Sequence, residues 1–327
     1  MNGSTSTPGG EPPQADATGF RSGYIAIAGR PNTGKSTFLN RVLGRKAAIV
    51  TPKAQTTRGR VLGVCERQGA QLIFLDTPGI HDPGRVLLNQ VMVRTAFEAC
   101  READVTLYFV EATSGLTDED REILNRLGDA PIILIFNKVD RTPNSRLMER
   151  VAATSELAGA RIAEVVPISA LTGRNVERLL DLLVRFLPEG PRYFPEGQWT
   201  DQPENFIIAE VIREKLFMQL RQELPYALAV RVVLWEPRPP PSEVRDLEAH
   251  ILVARESQKG IVIGHRGEVL KRVGALARKE LEAQFGCAIF MRLQVRVERE
   301  WSADARILAD LGYVHPEEDE ELDADLG

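Results

Sequence analysis

Residues 29–36 read Gly-Arg-Pro-Asn-Thr-Gly-Lys-Ser and match the pattern GxxxxGK[ST]. The stretch follows an apolar segment, YIAIAG (24–29), and opens a helical pattern. A glycine-rich turn between a strand and a helix aims backbone N–H groups at one point, where they bind phosphate groups. A chance glycine-rich turn is the alternative, but both flanking segments match the context that the motif requires.

The chemistry of phosphate binding gives the residues of this loop separate roles. Lys35 supplies a mobile positive charge for the β and γ phosphates of a nucleotide, and the Ser36 hydroxyl is a ligand for Mg²⁺. Glycine lets the backbone approach the phosphates closely and adopt a positive φ. The residues of the loop that we expect to bind the nucleotide are Gly29, Asn32, Thr33, Gly34, Lys35, Ser36 and Thr37.

Residues 22–187 alternate between strand-like and helix-like segments. The strand-like segments are YIAIAG (24–29), QLIFLD (71–76), VTLYFVE (105–111), PIILIFN (131–137) and ARIAEVVPIS (160–169). Their nearly continuous apolar character indicates strands that are buried on both faces of a parallel sheet. Thr117, followed three residues later by Asp120, predicts a capped helix start. We therefore predict an α/β fold, a P-loop NTPase domain with a doubly wound, mostly parallel sheet.

The motif DTPG (76–79) begins at the last residue of the strand-like segment 71–76. An aspartate at the end of a strand can hold Mg²⁺ through a water molecule, and the Gly79 N–H can meet a γ-phosphate. Ligands of α/β sheets bind at the carboxyl ends of the parallel strands. We therefore predict that Asp76 and Gly79 join the phosphate site, although this motif alone could be an ordinary turn.

Two further motifs, NKVD (137–140) and SAL (169–171), indicate guanine as the base. Guanine presents two adjacent donors, N1–H and N2–H₂, and a carboxylate presents two acceptors, so Asp140 fits guanine and not adenine. A backbone N–H of the second motif could meet guanine O6. The candidate base-binding residues are Asn137, Lys138, Asp140, Ser169, Ala170 and Leu171.

Residues 188–205 contain four prolines and read as a linker between two domains. The N-terminal residues are rich in Gly, Pro, Ser and Thr, a composition typical of disorder. The predicted parts are a disordered tail (1–21), a GTP-binding domain (22–187), the linker (188–205), a second domain (206–315) and an acidic tail (316–327).

The second domain has the predicted element order α-β-β-α-α-β. Helical periodicity covers 206–224, strands cover 226–236 and 247–256, and 259–285 is helical except around a Gly-x-x-Gly. Residues 288–298 alternate between apolar and polar side chains, which indicates a half-buried strand of an antiparallel sheet.

Residues 263–267, Ile-Gly-His-Arg-Gly, place the GxxG between two helical segments. In KH domains this loop clamps about four nucleotides of RNA along their backbone, and the element order is that of a type II KH domain. From Val253 to Lys279 seven basic residues stand against two acidic ones, a local charge of +5, although a solvated helix face is the alternative. Arg292 and Arg296 lie either near the RNA or in solvent. The candidate RNA-binding residues are Lys259, Ile263, Gly264, His265, Arg266, Gly267, Lys271 and Arg272.

The motifs GRPNTGKS, DTPG, NKVD and SAL resemble the nucleotide-binding boxes of translation-factor-type GTPases. The segments KAQTTRGRV (53–61), QKGIVIGHRG (258–267) and WSADARILADLGYV (301–314) resemble the Era family of ribosome-assembly GTPases, over roughly residues 20–315. The resemblance implies hydrolysis of GTP to GDP with Mg²⁺, binding near the 3′ end of 16S rRNA and a role in assembly of the 30S subunit. Three features depart from the family: the long N-terminal tail, the PRPPPSE loop and the acidic extension.

The residues expected to act in hydrolysis include a threonine that closes over Mg²⁺ and the γ-phosphate. Thr57 is the candidate, with Thr56 as the alternative. Ile80 stands where Ras carries a water-orienting glutamine, so intrinsic hydrolysis should be slow or use another group. In related GTPases an asparagine that corresponds to Asn32 helps to hold K⁺, and a plain turn residue is the alternative. We assign the catalytic roles to Asn32, Lys35, Thr57 and Gly79, and the Mg²⁺ ligands to Ser36, Thr57 and Asp76.

Two functions stay open from the sequence. The first is a GTP-hydrolysing, RNA-binding switch in 30S assembly, and the second is an RNA-binding module whose nucleotide is a structural or state-sensing ligand with negligible hydrolysis. A tRNA-modifying GTPase would need a large helical domain and a C-terminal catalytic cysteine. We expect a cytoplasmic monomer without a DNA partner, and peripheral association with the inner face of the cell membrane is a further option.

The formal net charge of −5 over 327 residues argues against an RNA partner only as a total. Seven acidic residues lie in EEDEELDADLG after Pro316, and without them the net charge is +2. This acidic tail is either a solvating appendage or a competitor of RNA. Three scattered cysteines without a CxxC indicate reduced thiols and no zinc site, and no apolar run approaches the ~18 residues of a membrane span.

Overall fold

Two sheets, one of six strands and one of three, organise the chain in a computed structural model. The structure describes residues 19–51, 53, 56–155 and 161–313. Most of the predicted N-terminal tail and all of the predicted acidic tail, residues 316–327, lie outside the described residues. No helix in the described part of the chain is long and apolar enough to cross a membrane.

The larger sheet has the strand order β2-β3-β1-β4-β5-β6. Its strands are β1 (Arg21–Gly29), β2 (Val61–Arg67), β3 (Ala70–Asp76), β4 (Val105–Glu111), β5 (Ile132–Asn137) and β6 (Ile162–Pro167). All neighbouring strands are parallel except β2 and β3, which form an antiparallel pair. The predicted mostly parallel sheet is therefore confirmed.

Helices on both faces of this sheet bury its apolar side chains. They are α1 (Lys35–Leu43), α2 (Leu87–Glu102), α3 (Asp118–Arg126), α4 (Asn144–Ser155) and α5 (Val176–Val184). Ile27 shares an apolar cluster with Phe38 of α1, whereas its neighbour Ala28 lies in the cluster that includes α3. Thr117 and Asp120 form the predicted capping box at the start of α3. The alternation of apolar faces explains why the strands read as continuous apolar runs.

The edge strand β2 was not predicted from the sequence. Its residues, VLGVCER, mix apolar and charged side chains, because the strand pairs with a neighbour on one side only. Linker residues run along this edge: Val64 N–H donates to the Trp199 carbonyl over 2.9 Å, and the Thr200 hydroxyl donates to the Leu62 carbonyl over 2.6 Å. These bonds occupy backbone groups that an edge strand otherwise leaves open.

The smaller sheet has the order β7-β8-β9 and packs against helices. Its elements are α6 (Glu204–Gln219), β7 (Leu228–Pro237), β8 (Val244–Val253), α7 (Glu256–Ile263), α8 (Glu268–Phe285) and β9 (Ala288–Val297). This is the predicted order α-β-β-α-α-β. The predicted antiparallel sheet is wrong for β9, which runs parallel to β8. The two helices α7 and α8 form a crossover that returns the chain to the end of the sheet where β8 begins.

Helix α6 lies between the two domains and is buried on almost every side, including the charged residues Arg213, Glu214 and Lys215. The predicted periodicity extended to residue 224, but the helix ends at Gln219. Gln222 adopts a positive φ of 56° and a proline follows at position 225, so the chain cannot continue as a helix.

After β9 the chain returns to the first domain through α9 (Ala305–Asp310). Trp301 is 1% exposed and shares the apolar cluster of the larger sheet with Leu308 and Tyr313. The Trp301 indole donates to the Ala227 carbonyl over 3.3 Å, just before β7. The two domains therefore share one apolar cluster. The domain limits 22–187 and 206–315 stay predictions.

Candidate functional site

A cavity of about 410 Å³ opens where the strands of the larger sheet end. Twelve of the predicted site residues line it: Asn32, Gly34, Lys35, Ser36, Thr37, Thr57, Gly79, Asn137, Lys138, Asp140, Ala170 and Leu171. Four others, Gly29, Thr33, Asp76 and Ser169, lie behind this lining and contact it through the hydrogen bonds described below. Its size suits a small ligand.

The phosphate loop is closed around the Lys35 side chain. Lys35 is 6% exposed, and its Nζ donates to the carbonyls of Gly29, over 2.9 Å, and Arg30, over 3.0 Å. Burial lowers the pKa of Lys35 to about 8. Gly34 has a φ of 97°, and a Cβ there would lie 2.2 Å from Nδ2 of Asn137. Only glycine lets the loop pass this close to Asn137.

Three predicted Mg²⁺ ligands meet beside this loop. The Ser36 hydroxyl donates to Oδ2 of Asp76 over 2.6 Å and lies 2.9 Å from the hydroxyl oxygen of Thr57. The Thr56 hydroxyl instead donates to the Lys53 carbonyl over 2.8 Å. The geometry therefore favours Thr57 over Thr56 as the threonine of this cluster.

The Asp76 carboxylate has the features of a group that receives a cation. Its Oδ1 is buried and has no hydrogen-bond partner among the described residues. Burial raises the pKa of Asp76 to about 6, against the hydrogen bond from Ser36, the charge of Lys35 and a smaller effect of the Thr77 backbone. Mg²⁺ prefers oxygen ligands, a carboxylate and water among them, so the cluster of hydroxyls and carboxylate fits this ion.

The motifs for the base are tied to the phosphate loop through Asn137. Its Nδ2 donates to the Thr33 carbonyl over 2.8 Å, and its Oδ1 accepts from the Ala170 N–H over 2.9 Å. Ser169 donates to Oδ1 of Asp140 over 2.5 Å, which orients the carboxylate. One buried amide thus fixes the distance between the phosphate and base regions.

A second link across the cavity involves Lys138 and Asn32, which both have positive φ, 68° and 65°. Lys138 Nζ donates to the Asn32 carbonyl over 2.6 Å and also bonds Glu111. Gly79 approaches the loop closely, because a Cβ there would lie 2.7 Å from Pro31. The phosphate loop, the end of β4 at Glu111, the DTPG motif and the NKVD motif therefore contact one another around the cavity.

Five residues that line the first cavity were not predicted from the sequence. These are Pro31, Ile49, Val50, Thr51 and Arg141. Residues 49–51 lie in the irregular connection between α1 and β2, where no periodic pattern indicates which side chains face a ligand. Pro31 lies inside the motif at a variable position, and Arg141 directly follows NKVD, so proximity to the motifs was their only signal.

A second cavity, of about 470 Å³, lies beside the GxxG loop. Its lining combines small and apolar residues with two cations: Gly267, Leu270, Lys271, Gly274, Ala275, Arg278, Met291 and Leu293. Of the predicted RNA-binding residues only Gly267 and Lys271 line it. The loop residues His265 and Arg266 are exposed next to it, Lys259 pairs with Glu256, and Arg272 bonds Gln219.

Glycine is required in the GxxG loop by its geometry. Gly264 has a φ of 75°, and a Cβ there would lie 2.5 Å from the Val269 side chain. Gly267 has a φ of 80°, and Arg266 between them is also left-handed, with a φ of 49°. The loop therefore makes the tight turn between α7 and α8 that the sequence predicted, with both central side chains exposed.

Comparisons with known proteins match both halves of the chain. The family model described as "50S ribosome-binding GTPase" matches residues 24–138, and the KH domain model matches residues 223–302. GTPase Era of Geobacter metallireducens is 47% identical over 296 residues, which cover 90% of this chain and 98% of that protein. GTPase Era of Syntrophus aciditrophicus is 45% identical and covers 90% and 95%.

Solved structures agree with the sequence relatives. An Era variant from Aquifex aeolicus bound to GDP·AlF4⁻ is similar with a TM-score of 0.87 and 38% identity, and the match covers 90% of this chain and all of that one. A structure of Era in complex with MgGDPNP and nucleotides 1506–1542 of 16S ribosomal RNA matches with the same TM-score, identity and coverage. The chain belongs to the Era family of GTPases.

Proposed function

We propose that this protein hydrolyses GTP to GDP and phosphate in the first cavity and binds 16S rRNA through its KH domain, as a switch in assembly of the small ribosomal subunit. One observation carries the proposal: Ser36, Thr57 and Asp76, from three separate segments, meet beside the phosphate loop. Membership of the Era family supports the reaction. The relative solved with MgGDPNP and 16S rRNA supports both ligands.

The phosphates of GTP would lie against the loop that holds Lys35. Its Nζ, which now bonds two loop carbonyls, is the charge that meets the β and γ phosphates. Ser36 and Thr57 would hold Mg²⁺ directly and Asp76 through water. When bound there, the ion would neutralise negative charge on the phosphate oxygens. The unpartnered Oδ1 of Asp76 supports this assignment.

Hydrolysis needs charge stabilisation more than proton abstraction. Water attacks the γ-phosphorus, the bond from this atom to the β–γ bridging oxygen breaks, and GDP leaves. Lys35 Nζ with the Gly79 N–H would stabilise the charge on the phosphate oxygens. Ile80 is 2% exposed and packs in an apolar cluster, so its side chain does not orient water. Asn32 lines the cavity and is the residue that we assign to K⁺, which would add the charge that other GTPases take from arginine.

Selectivity for guanine is assigned to Asp140. The Ser169 hydroxyl holds one carboxylate oxygen, and this fixes the plane in which the two acceptors face the base. Ala170 and Leu171 complete the wall on this side of the cavity, and Asn137 fixes its distance from the phosphate loop. The other predicted nucleotide-binding residues of the loop would act through their backbone.

RNA would bind along the GxxG loop and the second cavity. The loop presents backbone and the exposed His265 and Arg266 to phosphates, while the apolar floor formed by Leu270 and Leu293 can receive bases. Lys271 and Arg278 at the rim add two positive charges. Lys259 and Arg272 stay predictions, and each has a partner outside this cavity.

The remaining partners follow from this function. The protein is proposed to act on the 30S subunit in the cytoplasm, as a monomer and without a DNA partner. Sedimentation with 30S particles tests the first point. Flotation with vesicles of anionic lipid tests peripheral association with the membrane.

Ile80 supports a second function, that of an RNA-binding module whose bound nucleotide is a structural or state-sensing ligand with negligible hydrolysis. Single-turnover assays with excess protein, radiolabelled GTP and Mg²⁺, with and without RNA of the 16S 3′ end, separate the two. The proposed function predicts GDP and phosphate from GTP and none from ATP, and loss of the activity in Lys35→Ala. GTP that is recovered intact from the complex under all conditions would favour the second function.

A further inference from the structure

Several described residues of the loop that carries Thr57 form hydrogen bonds with helix α6. We call residues 44–60, between α1 and β2, the switch loop. Lys46 Nζ pairs with Glu214 over 2.5 Å, and Val50 N–H donates to the same carboxylate over 3.2 Å. Lys53 Nζ bonds the carbonyls of Phe217 and Leu220 at the end of α6. Helix α6 and its C-terminal end therefore contact the switch loop at Lys46, Val50 and Lys53.

Arg213 of α6 contacts the residue that precedes Thr57. Its guanidinium is 0% exposed, and Glu210 holds it in a bidentate pair, with Nε at 2.7 Å and Nη2 at 2.5 Å. Nη2 also donates to the Thr56 carbonyl. The ring of Phe217 stacks under the guanidinium at 5.3 Å. The donor thus has a fixed position when it meets the switch loop.

The Thr56 carbonyl belongs to the peptide group that precedes Thr57. The anchor, a hydrogen bond to that carbonyl, fixes the plane of the peptide group, which ends at the Cα of Thr57. It thereby helps to hold the Thr57 hydroxyl oxygen 2.9 Å from that of Ser36. The Thr56 hydroxyl bonds the Thr51 hydroxyl and the Lys53 carbonyl instead, so the two threonine side chains have different partners.

Stability alone is a poor explanation for a guanidinium at this position. Burial of a charge is costly, and apolar side chains of similar volume often stabilise a buried site as well or better. Nη1 of Arg213 has no hydrogen-bond partner among the described residues, which adds to the cost. What a guanidinium provides and an apolar side chain does not is a rigid, oriented donor.

We propose that Arg213 is a positioning residue for GTP hydrolysis, which acts through the Thr56 carbonyl to hold Thr57 against Ser36. A helix of the RNA-binding domain thereby completes the GTPase site. The inference rests on the role proposed above for Thr57.

The substitution that tests it is Arg213→Lys, in the full-length protein. Lysine keeps the charge and can pair with Glu210, but it has no planar fork with which to hold Glu210 and the Thr56 carbonyl together. We expect single-turnover hydrolysis to slow about tenfold to a hundredfold, as for a misplaced catalytic group. The Kd for GDP should stay unchanged, because neither Arg213 nor Thr57 would contact the diphosphate or base.

The matched control is Arg245→Lys. Arg245 pairs with Glu204, at the start of α6, over 3.3 Å. The Arg245→Lys variant should hydrolyse GTP at the wild-type rate. Glu210→Gln is a second variant of the anchor and loosens the guanidinium while leaving it in place. It should also slow hydrolysis, and it carries the test if Arg213→Lys fails to fold.

A double-mutant cycle with Thr57→Ala separates positioning from a general structural effect. If Arg213 acts through Thr57, the double variant should be no slower than Thr57→Ala alone. Rate losses that multiply, or a wild-type rate in both anchor variants while Thr57→Ala is slow, would overturn the inference. A wild-type rate in Thr57→Ala would instead remove the proposed role of Thr57, and the inference with it.

Discussion

The hydroxyl of Ser36 donates to Oδ2 of Asp76 over 2.6 Å, although the two residues lie 40 positions apart in the chain. This bond joins the start of α1 to the end of β3 and leaves the other carboxylate oxygen, Oδ1, buried without a partner among the described residues. A buried acceptor without a donor is costly unless a cation or water meets it. The relationship explains why DTPG belongs with the phosphate loop.

Asp76→Asn should weaken the binding of the Mg²⁺ that supports GTP hydrolysis. Asparagine can still accept the bond from Ser36 but has lost the charge that favours a cation. We expect the Mg²⁺ concentration for half-maximal hydrolysis to rise about tenfold, the equivalent of ~1.4 kcal/mol. The assay belongs well above the pKa of Asp76, about 6, so that the wild-type carboxylate is ionised. An identical Mg²⁺ titration in the variant would contradict the assignment.

Asp140→Asn should shift base preference from guanine toward xanthine. The amide replaces one acceptor by a donor, which matches the exchange of the guanine 2-amino group for a carbonyl. Loss of hydrogen bonds to a charged group costs about 1.5–3 kcal/mol, so GTP affinity should fall roughly tenfold to a hundredfold. Competition of GTP and xanthosine triphosphate for a fluorescent nucleotide measures this. An unchanged GTP preference would refute the role of NKVD.

Potassium should stimulate hydrolysis more than sodium. Ile80 is buried and provides no water-orienting group, while Asn32 lines the cavity beside the phosphate loop. Turnover in KCl should exceed that in NaCl at equal ionic strength, and Asn32→Ala should remove most of the difference. Equal rates of the wild-type protein in the two salts would leave Asn32 as a turn residue, with its positive φ of 65° as its only special property.

Lys271→Ala and Arg278→Ala should each weaken RNA binding and its dependence on salt. Each cation that neutralises a phosphate of a single strand contributes about 0.7 to the slope of log K against log salt concentration. We expect each slope to fall by about this amount. Arg67→Ala is the control, because Arg67 pairs with Glu177 on the surface of the first domain. If the salt dependence of RNA binding is unchanged in both Lys271→Ala and Arg278→Ala, the RNA does not bind at the second cavity.

Short motifs with fixed chemistry predicted residues that line the first cavity, whereas periodicity missed the edge strand β2 and the direction of β9. Lys35, Asp76 and Asp140 are brought together because each motif ends a strand of one parallel sheet, and strand order alone implies their proximity. The GxxG turn was predictable because it is also a short motif. The structure gives the reason for its first glycine, since a Cβ at Gly264 would clash with Val269.

Tertiary contacts explain what the sequence did not reveal. The direction of β9 depends on the crossover through α7 and α8, and alternation along one strand carries no information about it. The burial of Arg213 arises because α6 packs between two domains. The sequence of α6 alone does not show this, because its charged residues are typical of a helix with one exposed face. The choice between Thr56 and Thr57 needed the distance to Ser36.

Crosslinking of the purified protein to total cellular RNA, with a non-hydrolysable GTP analogue and with GDP, tests the central claim most directly. The account predicts crosslinks concentrated near the 3′ end of 16S rRNA, formed through the GxxG loop and the residues that line the second cavity, with a yield that depends on the nucleotide. Crosslinks scattered over all RNAs, without enrichment of the small-subunit RNA, would contradict it.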